Sequence, residues 1–361
     1  MAATTMTTTT NKEPKPPFYK VWILACRPHT LTASIAPCLL GHCLARNLLH
    51  PSTLQTTATP PSYSTTSATT TTTCSWIAFC VFIQLATNLH NDYADFVKGA
   101  DTGARVGQPR ATQKGWLTAN QTATGATVCL VLALAVGLPL LGNDDYVMKG
   151  VLLTSCFNAV AYTGGPFPLG YIGLEHVSIA YSGMGDIMCF IYFGIVATMV
   201  LPYLAIRNDY SNSSSSARSG DFVHAFQLLR TTLFPALIQA LPMGFLSTNI
   251  LVVNNLRDRH TDVLAHKKTL AVRFGPRFCQ MEYTLLLLSS YGVVLWTTTA
   301  TATITSQWTS LLPLLTIPMS IPCLKAIWTL EGASLNPFVG ASARLELAYC
   351  LLQCIGLLVI S

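Results

Sequence analysis

Ser75–Asp101 reads SWIAFCVFIQLATNLHNDYADFVKGAD. Its first part is an apolar run long enough to cross a bilayer as one helix, which takes roughly 20 mostly apolar residues. Its last part places Asp92, Asp95 and Asp101 at the edge of that run, with Asn88 four residues before Asp92. Residues three or four apart share a helical face, so Asn88, Asp92 and Asp95 line one side of the helix end. Carboxylates gathered at a membrane boundary repel one another and lose hydration unless a cation joins them.

Outward from this stretch the apolar pattern recurs. Nine spans are expected, at about 20–46, 75–96, 123–142, 147–163, 178–205, 231–254, 282–301, 308–330 and 344–361. The one ending near Thr163 is short enough to be either a span or a re-entrant segment. Only 10% of the 361 residues are charged and 51% are hydrophobic, with mean hydropathy +0.45. A soluble domain carries about 25% charged residues, so this chain lacks the surface to be one. The expected class is an all-α, multi-pass integral membrane protein.

Charge distribution orients it. With the N-terminus inside, sixteen of the 21 Lys and Arg residues fall in inside segments, and only Arg46, Lys149, Arg207, Arg218 and Arg230 fall outside. The positive-inside rule supports that orientation. The twelve cysteines are scattered through apolar stretches without a CxxC pair and read as small hydrophobes. Residues 1–17 are expected to be a disordered tail before a single transmembrane domain over 18–361. The Ser/Thr/Pro-rich stretches 51–73 and 208–221 read as flexible loops.

A second polar segment echoes the first. It reads NNLRDRHTD over Asn254–Asp262, with Lys267, Lys268 and Arg273 close behind. Asn254, Asp258 and Asp262 are spaced by four and form one stripe. Four expected spans separate the two segments, so both face the same side. Either segment alone is also what a helix end decorated with Asn and Asp presents. Two on one side, each beside basic residues able to hold phosphate oxygens, point to a shared site for Mg²⁺ and a diphosphate. A transporter or channel would set such carboxylates along a pore near mid-membrane instead.

Four stretches carry a family resemblance: Arg27-Pro28 with TLTASIAP to Pro37; NDYADFVKGAD with PRATQKGWLT over Pro109–Thr118; YTGGPFPLGYIGL over Tyr162–Leu174; and VNNLRDRHTDVLAHKKTLAVRFG over Val253–Gly275. Together they resemble the UbiA superfamily of intramembrane aromatic prenyltransferases. They are most similar to the branch that prenylates 1,4-dihydroxy-2-naphthoate in menaquinone and phylloquinone synthesis. Gly99 stands where many members have a third Asp, and an insertion of about ten residues precedes GMGDIMCFIYFG, which leaves the registers of Glu175 and Asp186 open.

The resemblance implies a helical bundle around a prenyl-diphosphate cavity. It implies Mg²⁺ held by Asn88, Asp92, Asp95, Asp101, Asn254, Asp258 and Asp262, with Asp92, Asp95, Asp258 and Asp262 catalytic. Substrate contacts are expected from Lys98, Arg110, Lys114, Arg257, Lys267 and Lys268 toward the diphosphate. Tyr93 or Tyr162 would shield the allylic cation. Arg27 would either meet the acceptor carboxylate or serve as a positive-inside anchor. Tyr162–Leu174 would either line the prenyl channel or simply connect helices. The implied partners are a polyprenyl or phytyl diphosphate, the naphthoate and the lipid bilayer, with no nucleic acid. Homogentisate and 4-hydroxybenzoate are the rival acceptors. The membrane would be a plastid or other organelle membrane in a eukaryote and the plasma membrane in a bacterium.

Overall fold

A computed structural model describes residues 15–48, 64–99, 106–163, 183–213, 232–300 and 308–360. Regular structure among these residues is helical throughout. In chain order the helices are α1 (Phe18–Cys26), α2 (Thr32–Leu48), α3 (Ser64–Val97), α4 (Ala119–Gly137) and α5 (Tyr146–Ala161). Next comes α6, which joins Gly185–Cys189, a π-helical turn at Phe190–Val196 and Ala197–Ser213. The last four are α7 (Phe234–Leu264), α8 (Leu270–Ala300), α9 (Ile317–Thr329) and α10 (Asn336–Ile360).

Seven segments, α3, α4, α6 to α8, α9 together with the helical turns from Trp308 before it, and α10, are long and apolar enough to cross a membrane, and α5 is apolar but shorter. The protein is a multi-pass integral membrane protein. The count differs from nine for identifiable reasons. The expected first span, 20–46, is broken into α1 and α2 at Arg27-Pro28, where Pro28 has no N–H and its ring crowds the preceding turn. Arg27 takes the left-handed conformation there, with φ 51 and ψ 64, rare for a residue with a Cβ.

Two expected loops are partly helical. Helix α3 starts at Ser64, inside the 51–73 stretch, and α6 runs to Ser213, inside 208–221. Composition could not foresee this, because the Thr run extends an established helix and propagation costs far less than nucleation. Thr73 is buried and its Oγ1 lies 2.9 Å from Nδ1 of His42 on α2. The tail 1–14, the remaining parts of both loops, Asp101, Glu175 and most of Tyr162–Leu174 lie outside the described residues.

The helices pack closely where small residues meet. A Cβ on Gly194 would lie 2.3 Å from Cα of Gly244, and one on Gly41 would lie 2.3 Å from the Thr198 carbonyl oxygen. Small residues at crossings let backbones approach and gain dispersion contacts, the main association force inside lipid. Around these crossings, α2, α7, α8 and α10 share one buried cluster including Met243, Tyr283 and Tyr349. A second, including Trp76, Phe79 and Met148, joins α2 to α6.

Helix length sets where the polar segments lie. At about 1.5 Å per residue, the 31 residues of α7 exceed the roughly 30 Å hydrocarbon layer. Its last turns, with Asp258 and Asp262, therefore reach past the apolar core. Helix α3 ends at the same face with Asp92 and Asp95.

Candidate active site

The two polar segments meet through side chains from four places in the chain. Asp95, 1% exposed, accepts a hydrogen bond of 2.7 Å from Nη1 of Arg110 and one of 2.8 Å from Nζ of Lys267. Arg110 also donates to the Asn91 carbonyl oxygen at 2.9 Å. The segment after α3 is thereby tied to the α3 end, and the α7–α8 connection closes over it. A buried carboxylate holding two cations is compensated for its lost hydration.

Asp92 stands one helical turn behind. Its Oδ2 accepts from N and Oγ1 of Thr112 at 3.3 and 3.2 Å. Its Oδ1 is 3.6 Å from Nε of Arg110 and 3.8 Å from Nη2 of Arg27. The left-handed turn at Arg27 brings that guanidinium back over the α3 face. Asn88 completes this side, donating to the Cys26 carbonyl oxygen at 2.9 Å and to Oγ1 of Thr30 at 3.0 Å.

On α7, Arg257 holds its neighbour Asp258 with Nε–Oδ1 and Nη2–Oδ2 distances of 2.8 and 2.6 Å, and donates to Oδ1 of Asn254 at 2.6 Å. A Cβ on Gly107 would sit 2.6 Å from Nη2 of Arg257, so a larger residue there would push this guanidinium aside. The polar groups surround one end of a cavity of about 330 Å³. Its wall includes Arg27, Asn88, Asp95, Arg110, Tyr162, Asn254, Arg257, Asp258, Asp262 and Lys267, and its deeper part is apolar, with Trp76, Phe79, Ile83 and Phe193.

Several expected residues stand elsewhere. Asp92 is behind the wall, against Thr112 and the two guanidiniums. Tyr93 packs beside His90, ring centroids 6.2 Å apart, off the cavity lining; one residue after Asp92 and two before Asp95, it points to another side of the helix. Lys98 donates to the Thr163 carbonyl oxygen and so clamps the end of α5. Lys114 and Lys268 are exposed and outside the lining. Lining residues that sequence reasoning missed include Gln84, Asn91, Asn158, Tyr192 and Asp186. The side-chain oxygen of Asn91, next to Asp92 in the chain, accepts from Thr163 Oγ1. For the others only position on an inward helix face is informative, and that depends on packing.

Would Mg²⁺ suit this site? The donors are carboxylate and amide oxygens, the hard ligands that Mg²⁺ takes. Asn88, Asp95, Asn254, Asp258 and Asp262 all line the cavity. Among those residues no three His, Cys, Asp or Glu side chains are grouped to hold an ion alone. An ion here would therefore need phosphate oxygens and water to complete its shell. The residues fit the ion.

Comparison with known proteins adds three kinds of likeness. Residues 53–336 match the UbiA prenyltransferase family. The 1,4-dihydroxy-2-naphthoate octaprenyltransferase of Haemophilus influenzae is 26% identical over 347 residues, covering 94% of this chain and 96% of that protein. The enzyme of the same name from Mycobacterium tuberculosis is 32% identical over 275 residues, 74% of each chain. A UbiA homolog from Archaeoglobus fulgidus, solved bound to DMAPP and Mg²⁺, superposes with TM-score 0.53 at 15% identity, covering 91% of this chain and 97% of that one.

Proposed function

The chain belongs to the UbiA prenyltransferase family, and from that premise we propose that it transfers a polyprenyl or phytyl group from its diphosphate to 1,4-dihydroxy-2-naphthoate, with decarboxylation. One observation carries the reading: two Asp-bearing helix ends and their cations surround the polar end of a single cavity whose depth is apolar. A diphosphate with an isoprenoid tail has that same division. The relatives named as naphthoate octaprenyltransferases support the acceptor.

Asn88, Asp95, Asn254, Asp258 and Asp262 would hold Mg²⁺ at the wall, with Asp92 fixing Arg27 and Arg110 from behind. When bound, Mg²⁺ supplies charge neutralisation of the departing diphosphate. Lys267 and Arg110 orient the diphosphate oxygens. The bond between the allylic carbon and the diphosphate oxygen breaks, and the oxygen keeps the electron pair. Tyr162 and the apolar wall exclude water from the resulting cation. The acceptor ring carbon then forms the new C–C bond. The bond to its carboxyl carbon breaks, returning its electron pair to the ring as CO₂ leaves. Arg27, at the cavity wall, would meet that carboxylate beforehand.

The test sets dihydroxynaphthoate, homogentisate and 4-hydroxybenzoate side by side with one prenyl diphosphate and the purified protein in lipid. Prenylated, decarboxylated naphthoate is the expected product. No turnover of the naphthoate, with turnover of another phenol, would remove the acceptor from this reading.

A further inference from the structure

Asp186 stands in the first turn of α6 and lines the cavity. It is 5% exposed, and its Oδ1 is buried without a hydrogen-bond partner among the described residues. It forms no ion pair among them either. A carboxylate so placed is costly to the fold unless a ligand satisfies it. The ordinary use of an acid at a helix start is not filled here: Met184 holds the cap position and no side-chain cap bond forms. The helix start does favour negative charge at this point.

The surroundings narrow the ligand. Asp186 is on neither Asp-bearing stripe, and Arg110, Lys267 and Arg257 are engaged with Asp95 and Asp258. Beside it the chain comes close to an aromatic ring: a Cβ on Gly185 would lie 3.3 Å from Oη of Tyr162. A carboxylate near the hydroxyl edge of Tyr162 in a mostly apolar pocket is complementary to a flat aromatic molecule with a hydroxyl on its edge.

Resting on the function proposed above, we infer that Asp186 binds the acceptor by accepting a hydrogen bond from one of its ring hydroxyls. The bond holds the ring in one orientation toward the allylic carbon. It also stabilises the positive charge that spreads onto the hydroxyl-bearing ring as the C–C bond forms, an interaction stronger in the transition state than before it. Because the carboxyl group leaves as CO₂, the ring need not lose a proton to this residue. Asp186 acts as a hydrogen-bond acceptor and sets specificity for phenols.

The experiment uses the full chain in lipid nanodiscs, wild type, Asp186→Asn and Asp186→Leu. Acceptors are 1,4-dihydroxy-2-naphthoate and its two analogues lacking either hydroxyl, read by turnover or, where none occurs, by competitive inhibition. Both variants are expected to lose roughly 10- to 100-fold in kcat/KM for the dihydroxy acceptor. KM for the prenyl diphosphate and the Mg²⁺ needed for half activity should stay unchanged. One monohydroxy analogue should bind wild type and Asp186→Leu equally, since the group that Asp186 meets is missing from it. The near-isosteric Asn variant keeps the test open if the Leu variant does not fold. Variants equal to wild type on the dihydroxy acceptor, an equal penalty on both analogues, or a raised Mg²⁺ requirement would each overturn the assignment. If the wild type turns over only another phenol, the naphthoate reading fails, and the same KM comparison on that phenol judges Asp186.

Discussion

Asp95 is the residue on which the two halves of the site meet. It takes a cation from the segment after α3 and another from beyond α7, so its charge organises residues distant in the chain. The spacing of Asn88, Asp92 and Asp95 was legible in the sequence, because a helix imposes it. Which of the two carboxylates meets the cavity was not, because Asp92 lies behind Thr112 and Arg110 while Asp95 reaches the lining. Lys267→Met is expected to lower kcat/KM by about 100- to 1,000-fold, the scale of one lost charge-stabilising donor. The variant should still insert and fold, since Arg110 continues to pair with Asp95. Asp95→Asn should abolish transfer. Prenyl transfer in membranes, normalised to the amount of folded protein, checks both; full activity in either variant would remove the role given to this pair.

At the scale of elements, the opposite membrane face is held by Asp145. It caps α5 by accepting from the Met148 N–H at 2.9 Å, accepts 2.8 Å from Tyr203 Oη, and pairs with Arg207 on α6. Arg207 in turn donates to the Leu140 carbonyl oxygen at 3.0 Å, the last turn after α4. One carboxylate therefore joins three helices. Burial pushes its pKa up, but the Met148 N–H, Arg207 and Tyr203 outweigh this and hold it below the ordinary carboxylate value. A lowered folded value means stabilisation that is complete above the unfolded pKa of about 3.9 and fades as pH falls through the folded value. Asp145→Ala should cost about 1–2 kcal/mol near neutral pH, the range for a lost helix cap. Thermal unfolding in detergent should show the gap between wild type and variant narrowing from pH 7 to pH 3. A gap independent of pH would show that the carboxylate charge contributes nothing. The cap at Asp145 follows from sequence, but its partners Tyr203 and Arg207 are about sixty residues away and were foreseeable only as residues of a later span.

For the whole molecule, the carboxylates of the site are paired internally by Arg110, Lys267 and Arg257. Chelation with EDTA is therefore expected to stop transfer without unfolding the protein, and added Mg²⁺ to restore it; unchanged activity after exhaustive chelation would remove the metal from the mechanism. The sequence by itself determined the membrane class, the helical composition and the placing of both polar segments on one face. Each of these follows from local quantities: the length of apolar runs, the spacing of Asp and Asn, and the sorting of Lys and Arg. Only the tertiary structure decided that the first span breaks at Arg27-Pro28 and curls a guanidinium over α3. It also showed that Lys98 serves as a clamp and that Tyr93 turns from the cavity. It alone brought the unassigned Asp186 to the cavity wall. These outcomes depend on how close two helices can approach, set at Gly194 and Gly244 by the absence of a side chain, and on which buried charge finds its partner across the bundle. Such pairings join residues far apart in the chain, and no local pattern encodes them.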